Sequence, residues 1–563
     1  MNLININNET KVIEKNISYN SYVKKLLILG SIFFVAGIVV VIKLSEITLI
    51  DTKQYKSNNE IDSSKKKTRG IIYDRNNKIL ASNIFVYQLK AYPKLIINAK
   101  YTATLLKKEI PSLTKNKILK KLNEKTRSEV IIAKNVTPPN AKKINSLGVP
   151  GLEFFPVEKR FYPHQNLTSH LVGHINNNLK GVYGAERTFN EKLSKGNNIK
   201  LSIDTRVQYA VRDELIKSLK KYKAKSATAI VANINSSEIL ALVSLPDFNP
   251  NLSINPKKES YRNTATLNVY EMGSTFKIFT IAAALEYSDL KMTSSFDVSN
   301  PLRISNYTIK DYHPENRVLT TEEVFIKSSN IGSSLIALNK LGKQNMKSFY
   351  ANLGILNYSK IDLSEKSKPL LPRKWGEIET ATMSYGHGIS ITPMHMLEAA
   401  SLIFSTTSNG SLSIEKDKKL NTKKNNIIST RTREKLIKLM EVNVTSGTAK
   451  RAKLEGYNIG GKTATGEKSN KQGSYDKKKL VSSFLAVFPS KNPTYISIVL
   501  FDEPYLNNKN NQTRYGATGG KTAAPTTARI VNRIAMFLDL PKEIEKNIEL
   551  IVKNKDKFNF ASY

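Results

Sequence analysis

Hydrophobic and polar positions fall into three textures along this chain. Residues 26–42 are apolar and uncharged without a break, and Leu44, Ile47, Leu49 and Ile50 prolong the run past Lys43. Such a run is long enough to span a bilayer while the lysine stem snorkels to the interface. A second texture, short apolar runs bounded by turn residues, appears at 227–232 and 239–244 around Asn235-Ser236-Ser237 and predicts a hairpin. The same texture at 457–465, 480–488 and 495–501 predicts three more strands. The third texture is helical: one helix follows Asp204 as far as Lys221, and a last apolar helix covers 526–538. Hairpin and late strands then form a sheet of about five strands, against which the mostly helical segment 270–450 must pack.

The first half is more polar. Residues 69–83 predict strand, turn over 74–77, strand; 154–162 predict another strand; Gly181-Val182-Tyr183-Gly184-Ala185-Glu186 predicts a turn into a helix. Between them, 100–145 predicts short lysine-rich helices punctuated by Pro138-Pro139 and Pro150-Gly151. The expected division is a polar tail 1–25, an anchor 26–47, a linker 48–68, a smaller domain 69–200, a larger domain 201–540 and a charged tail 541–563. No small-residue cleavage pattern follows the apolar run, so an uncleaved anchor is expected. Lys11, Lys15, Lys24 and Lys25 precede it, Lys43, Lys53 and Lys56 follow it, and the short leading tail favours an inside N-terminus with the bulk of the chain outside.

Composition adds limits. At roughly 150 residues per domain, 563 residues imply about three or four structural units. The formal charge of +40 is spread along the chain rather than gathered in a basic arm with interleaved aromatics. This excludes a nucleic-acid binder and suits an anionic surface. With no cysteine, disulfides, thiol catalysis and cysteine metal sites are excluded. His170 and His174 have helical i, i+4 spacing near His164, but no acid or further histidine completes a ligand set, so no metal is expected.

The chemistry gathers around Glu271-Met272-Gly273-Ser274-Thr275-Phe276-Lys277, which opens an apolar helix through Leu285. Lys277 lies one turn from Ser274 on a helix that belongs inside a domain. Desolvation lowers the pKa of such a lysine and makes it a base for the serine. The helix start supplies N–H groups for a developing oxyanion. Later, Ser328-Ser329-Asn330 offers a hydroxyl relay and an amide for a substrate amide, or simply a turn or cap. Gly460-Gly461-Lys462-Thr463-Ala464-Thr465-Gly466, as a strand, can pair with an extended peptide and bind a carboxylate through Lys462, Thr463 and Thr465. Residues 456–463 also fit a phosphate-loop pattern, but strand-forming Tyr457-Asn458-Ile459 and the lack of a following helix argue against it.

Ser-x-x-Lys, Ser-x-Asn and Lys-Thr in this order resemble the penicillin-recognising serine acyltransferases. Residues 69–83, Arg160-Phe161-Tyr162-Pro163, His170 to His174 and Gly181 to Glu186 look like the non-catalytic domain of class B penicillin-binding proteins. Ser384-Tyr385-Gly386-His387-Gly388 with Thr392-Pro393 resembles the division-specific branch. The resemblance implies a mixed α+β fold: one transmembrane helix, an elongated pedestal of the dimerisation type, and a transpeptidase domain with a five-stranded antiparallel sheet flanked by helices. It implies Ser274 as acylated nucleophile, Lys277 as base, Ser328 as relay, Asn330 as substrate ligand, and Lys462, Thr463 and Thr465 at the carboxylate end and oxyanion hole. The implied substrate is the D-Ala-D-Ala end of a peptidoglycan stem peptide, with β-lactams as inhibitors and no cofactor. A membrane-embedded glycan polymerase and other division proteins are the implied partners. The implied place is the bacterial inner membrane, catalytic domain on the periplasmic side. A D,D-carboxypeptidase and a non-catalytic division scaffold are the alternatives. Ala464 stands where the family has glycine, which would put a methyl on the face of Lys462, towards the cleft. Glu503-Pro504-Tyr505-Leu506-Asn507 imitates a class A β-lactamase segment but follows the third motif instead of preceding it.

Overall fold

The sheet of the larger domain explains the rest of the architecture, because its two faces demand two helical layers. The structure is a computed structural model, which describes residues 23–45, 68–252, 255, 258–418, 427–469, 475–508, 511–513 and 516–542. The tail 1–22, the linker up to residue 67 and the charged tail beyond 542 lie outside the described residues.

The chain divides into two units, Met1–Lys67 and Thr68–Tyr563. The first contains helix α1, Val23–Ser45, whose 23 residues are all exposed. At about 1.5 Å per residue it exceeds the hydrocarbon thickness of a bilayer.

In the second unit, β1 (Ile79–Ala91), helices α2 (Ala99–Glu109) and α3 (Lys115–Leu122), β2 (Val130–Val136), α4 (Pro138–Asn145) and β3 (Leu152–Phe161) build a head. β3 pairs antiparallel with β1 from Ser82 to Ala91, and β2 pairs on the other side. A separate core containing Leu89, Leu106, Ile118, Leu122, Ile132 and Ile144 holds it together. Strand β2 corrects the expectation of helices alone between 100 and 145. Its Val130-Ile131-Ile132 is β-branched, with Val130 and Ile132 buried in that core, a signal masked by the lysines around it. At the root, Ile72–Tyr73 pairs with both β1 and Ile199–Lys200. There the buried Glu186 carboxylate receives Arg69 Nε and Arg160 Nε, each at 2.7 Å. Arg160 also donates to the Gly70 carbonyl at 2.8 Å. His170 Nε2 donates to the Ser260 carbonyl (2.9 Å), and both His170 and His174 pack edge-on to Phe248.

The larger part begins with α5 (Thr205–Lys221), β4 (Ser226–Asn233) and β5 (Glu238–Leu245). A helical segment follows: α6 (Lys277–Tyr287), α7 (Thr321–Lys327), α8 (Asn330–Ile336), α9 (Pro393–Phe404) and α10 (Thr430–Thr445). Then come β6 (Gly460–Ser469), β7 (Tyr475–Phe488), β8 (Tyr495–Asp502) and α11 (Ala523–Ile534). The five strands run β6-β7-β8-β4-β5, antiparallel throughout. Side chains alternate between faces. Ile230, Leu242, Leu485 and Ile498 meet the layer of α6 and α9, in a core continuous with Ile72 and Leu80 of the root. Ala229, Val231, Phe484 and Val499 meet α5 and α11. β6 is an edge strand.

Candidate active site

Residues Gly273–Phe276 form a 3-10 turn that runs into α6. This differs from a single α-helix, and the difference matters. In a 3-10 turn, positions i and i+3 eclipse, so Lys277 stands directly over Ser274. Lys277 Nζ lies 2.9 Å from Ser274 Oγ. Ser274 is half-buried, while Lys277 is fully buried. Gly273 has φ +54°, and a Cβ there would stand 3.1 Å from the Thr465 carbonyl oxygen of β6. Gly386 (φ +81°) nests on it from another side, where a Cβ would meet the Gly273 carbonyl at 2.3 Å. Only glycine fits at both positions.

The second motif faces the same amine. Ser328 ends α7 in the left-handed region (φ +63°), which turns its carbonyl and hydroxyl inward. Lys277 Nζ donates to the Ser328 carbonyl at 2.9 Å and to Asn330 Oδ1 at 2.8 Å, with Ser328 Oγ at 3.4 Å. Ser329 is the helix cap of this motif, accepting from the Gly332 N–H.

Lys462 arrives from β6 on the α6 side of the sheet, opposite Leu485, and donates to Ser328 Oγ at 2.9 Å. Ser328 thus bridges two buried lysines. Burial holds the Lys277 amine well below its ordinary range, the Lys462 charge pushes the same way, and Asp311 pulls back. Burial brings Lys462 to about 7.

Thr463 and Thr465 project to the other face. The Thr463 hydroxyl meets Thr448 Oγ1 at 2.6 Å, and Thr448 donates in turn to Asn443 Oδ1 at 3.1 Å. Thr463 is therefore the donor in its pair. Thr465 Oγ1 accepts from the Gly519 N–H at 3.2 Å and keeps its own proton to give. Ala464 corrects the expectation of a methyl in the open cleft. It is 3% exposed, and its Cβ lies 3.6 Å from where a Cβ on Gly273 would stand. The methyl packs under the nucleophile turn.

Several site residues carry no motif. Glu271 Oε1 accepts from the Gly388 N–H (2.9 Å) and the Tyr475 hydroxyl (3.0 Å), tying the nucleophile turn to β7 and to the 386–388 loop. The His387 ring lies 5.1 Å from that of Tyr385 and 5.5 Å from that of Tyr475. Burial and the Lys277 charge hold it at about 4. Asp311 contacts Ser329, Asn330 and Ile331. No pattern in the sequence marks these residues, though Ser384 to Gly388 pointed to the loop.

A reachable hydroxyl on a buried amine, beside an edge strand open to an extended peptide, defines a serine acyl-transfer centre. The chain matches the penicillin binding protein transpeptidase domain over residues 227–532 and the penicillin-binding protein dimerisation domain over residues 64–207. It is 35% identical over 492 residues to the probable peptidoglycan D,D-transpeptidase FtsI of Caulobacter vibrioides, covering 85% of this chain and 82% of that protein. It is 29% identical over 499 residues to the probable peptidoglycan D,D-transpeptidase PenA of Neisseria gonorrhoeae (82% and 83% covered). With the peptidoglycan D,D-transpeptidase FtsI of Escherichia coli K12 it shares 27% over 514 residues (84% of each). The chain belongs to the class B penicillin-binding proteins.

Proposed function

We propose that this chain is the septal peptidoglycan D,D-transpeptidase of its cell, cross-linking stem peptides through an acyl-enzyme on Ser274. The observation that carries the reading is the amine of Lys277, 2.9 Å from Ser274 Oγ and otherwise held by the acceptors Asn330 Oδ1 and Ser328 C=O. In its neutral form that amine takes the Ser274 proton as the oxygen attacks the carbonyl of the penultimate D-alanine. The proton reaches the departing D-alanine amine through Ser328, which touches both lysines. An amine of a neighbouring stem then displaces Ser274 from the acyl group and restores it.

Lys462 and the Thr465 hydroxyl receive the terminal carboxylate, and Thr463 holds the strand there through Thr448. Asn330 takes the substrate amide. The Ser274 backbone N–H and one from β6 stabilise the oxyanion. β-Lactams, which carry a carboxylate beside a strained amide, acylate the same serine.

Helix α1 serves as a single-pass anchor. Residues 69–200 act as the pedestal and 201–540 as the catalytic domain on the periplasmic side. A membrane-embedded glycan polymerase and other division proteins are the partners this arrangement suits. The test is product analysis with the full-length protein and uncross-linked, lipid-anchored glycan strands. Cross-linked stem dimers with release of D-alanine are expected. Trimmed monomers alone would make it a carboxypeptidase, and unchanged strands with both protein and polymerase present would leave a scaffold.

A further inference from the structure

Large apolar side chains stand exposed together on the head, far along the chain from every catalytic motif. Pro93 and Ile96 are buried, which turns Leu95 and Ile97 outward. Asn98 then caps α2 by accepting the Tyr101 N–H at 3.0 Å, and the Tyr101 ring stays outside. Ile97 is 88% exposed, Tyr101 62% and Leu95 59%. The turn after α4 lies against this stretch. The Tyr92 N–H donates to the Gly151 carbonyl at 2.8 Å, and a Cβ on Gly151 would stand 2.9 Å from that of Leu95. That turn adds Leu147, also exposed. Single exposed apolar side chains are ordinary, but four on two touching segments form a patch.

The charge around the patch has one sign. Residues 92–108 and 138–152 hold Lys94, Lys100, Lys107, Lys108, Lys142 and Lys143, and no Asp or Glu. Lys94, Lys100, Lys142 and Lys143 are exposed. Glu153, the next acid along, accepts the Tyr92 hydroxyl at 2.6 Å. Lysine is depleted where protein surfaces meet. Aliphatic and tyrosine side chains flanked by lysine are instead the composition of a segment lying in a membrane interface. The apolar ends enter the headgroup boundary while the ammonium groups meet anionic lipid.

We propose that this tip of the head docks on the surface of an anionic phospholipid bilayer. Leu95, Ile97, Tyr101 and Leu147 enter the headgroup region, and the four exposed lysines sit on the lipid phosphates. The contact is separate from α1 and from the acyl-transfer site, and needs neither. It gives the chain a reversible hold on the membrane that weakens with salt and with loss of lipid charge.

The chain has no cysteine, so Ser146→Cys, in the exposed turn beside Leu147, places a single environment-sensitive label at the tip. The full-length protein is reconstituted into vesicles of phosphatidylcholine alone, or of equal parts phosphatidylcholine and phosphatidylglycerol, with brominated acyl chains as quencher. Bromine reaches the label only when the tip lies at the hydrocarbon boundary. Quenching is expected in the anionic vesicles. The ratio of docked to free tip should fall about fivefold for each of Lys94→Gln and Lys100→Gln, and fall again with added salt. Leu95→Ser combined with Ile97→Ser should cut it by about tenfold or more. Each variant is checked for an unchanged melting temperature; should the serine pair melt early, the lysine variants and the two lipid compositions still decide. No quenching in anionic vesicles overturns the proposal and leaves the patch to a protein partner. Equal quenching in both lipids, or quenching that all these substitutions leave unchanged, also overturns it. A chain that does not enter the vesicles would sink the anchor reading of α1 alone, and quenching by anionic vesicles mixed with that chain would still decide for or against the tip.

Discussion

Lys277 Nζ stands 2.9 Å from Ser274 Oγ, and its other two contacts under 3 Å, Asn330 Oδ1 and Ser328 C=O, are both acceptors. A neutral amine has two hydrogens and one lone pair. It fills all three contacts by donating to the two carbonyl oxygens and accepting the serine proton. Arginine cannot lose its proton at any working pH. Lys277→Arg and Lys277→Met are therefore both expected to slow acylation by about 10²–10⁴-fold. Stopped-flow capture of a fluorescent penicillin checks this, and a rate within tenfold of wild type in Lys277→Arg would contradict the role of base.

The pH profile should be bell-shaped. Acylation needs Lys277 neutral, so the rate falls on the acid side as that depressed pKa is crossed. It also needs Lys462 charged to hold a carboxylate. With Lys462 at about 7, the charged fraction shrinks as pH rises through that value. The alkaline loss should appear in the apparent KM for carboxylate-bearing substrates, while an ester of the same substrate should lack it. Titrating KM for both between about pH 6 and about pH 9, a span of about three units that takes in the Lys462 value, tests the assignment.

Ala464 offers a clean contrast between cleft and core. Its methyl is buried under the Gly273 turn, so Ala464→Gly should leave β-lactam acylation within about threefold of wild type. Stability should fall by about 1–2 kcal/mol, from one lost buried methyl and the added freedom of glycine in a strand. Denaturant melts and labelling rates measured together decide. A gain in rate above tenfold with no loss of stability would place the methyl in the substrate path.

The root of the head depends on one carboxylate. Glu186 is fully buried between Arg69 and Arg160, whose own contacts reach Gly70, Asn83 and Asn190. Glu186→Ala strands two buried guanidinium groups, a loss of about 3–5 kcal/mol. The unfolding midpoint of the full-length protein in detergent should drop accordingly, and a drop below about 1 kcal/mol would mean that water reaches the pair.

What the sequence made legible follows from which forces leave a local pattern. The five strands and the helix Val23–Ser45 announce themselves because each carries a continuous apolar run, and Val130–Val136 escaped because its lysine-rich surroundings read as surface helix. Ser274 and Lys277 were visible because a lysine inside an apolar helix needs a reason. Asp311, Glu271 and Tyr475 were not. Each is a single polar residue, joined to its partner only by the folded chain: Glu271 and Tyr475 are 204 positions apart. The 3-10 start of α6, which brings Ser274 under Lys277, was hidden for another reason. Helix type depends on what packs around the turn, here Thr465 and Gly386 against Gly273.

The most direct measurement is covalent labelling of the full-length protein with a fluorescent penicillin beside Ser274→Ala. The account predicts one label per wild-type chain, on the peptide that contains Ser274, and none in the variant. Equal labelling of both proteins, or labelling of neither by penicillin or by a stem-peptide thioester, would contradict it.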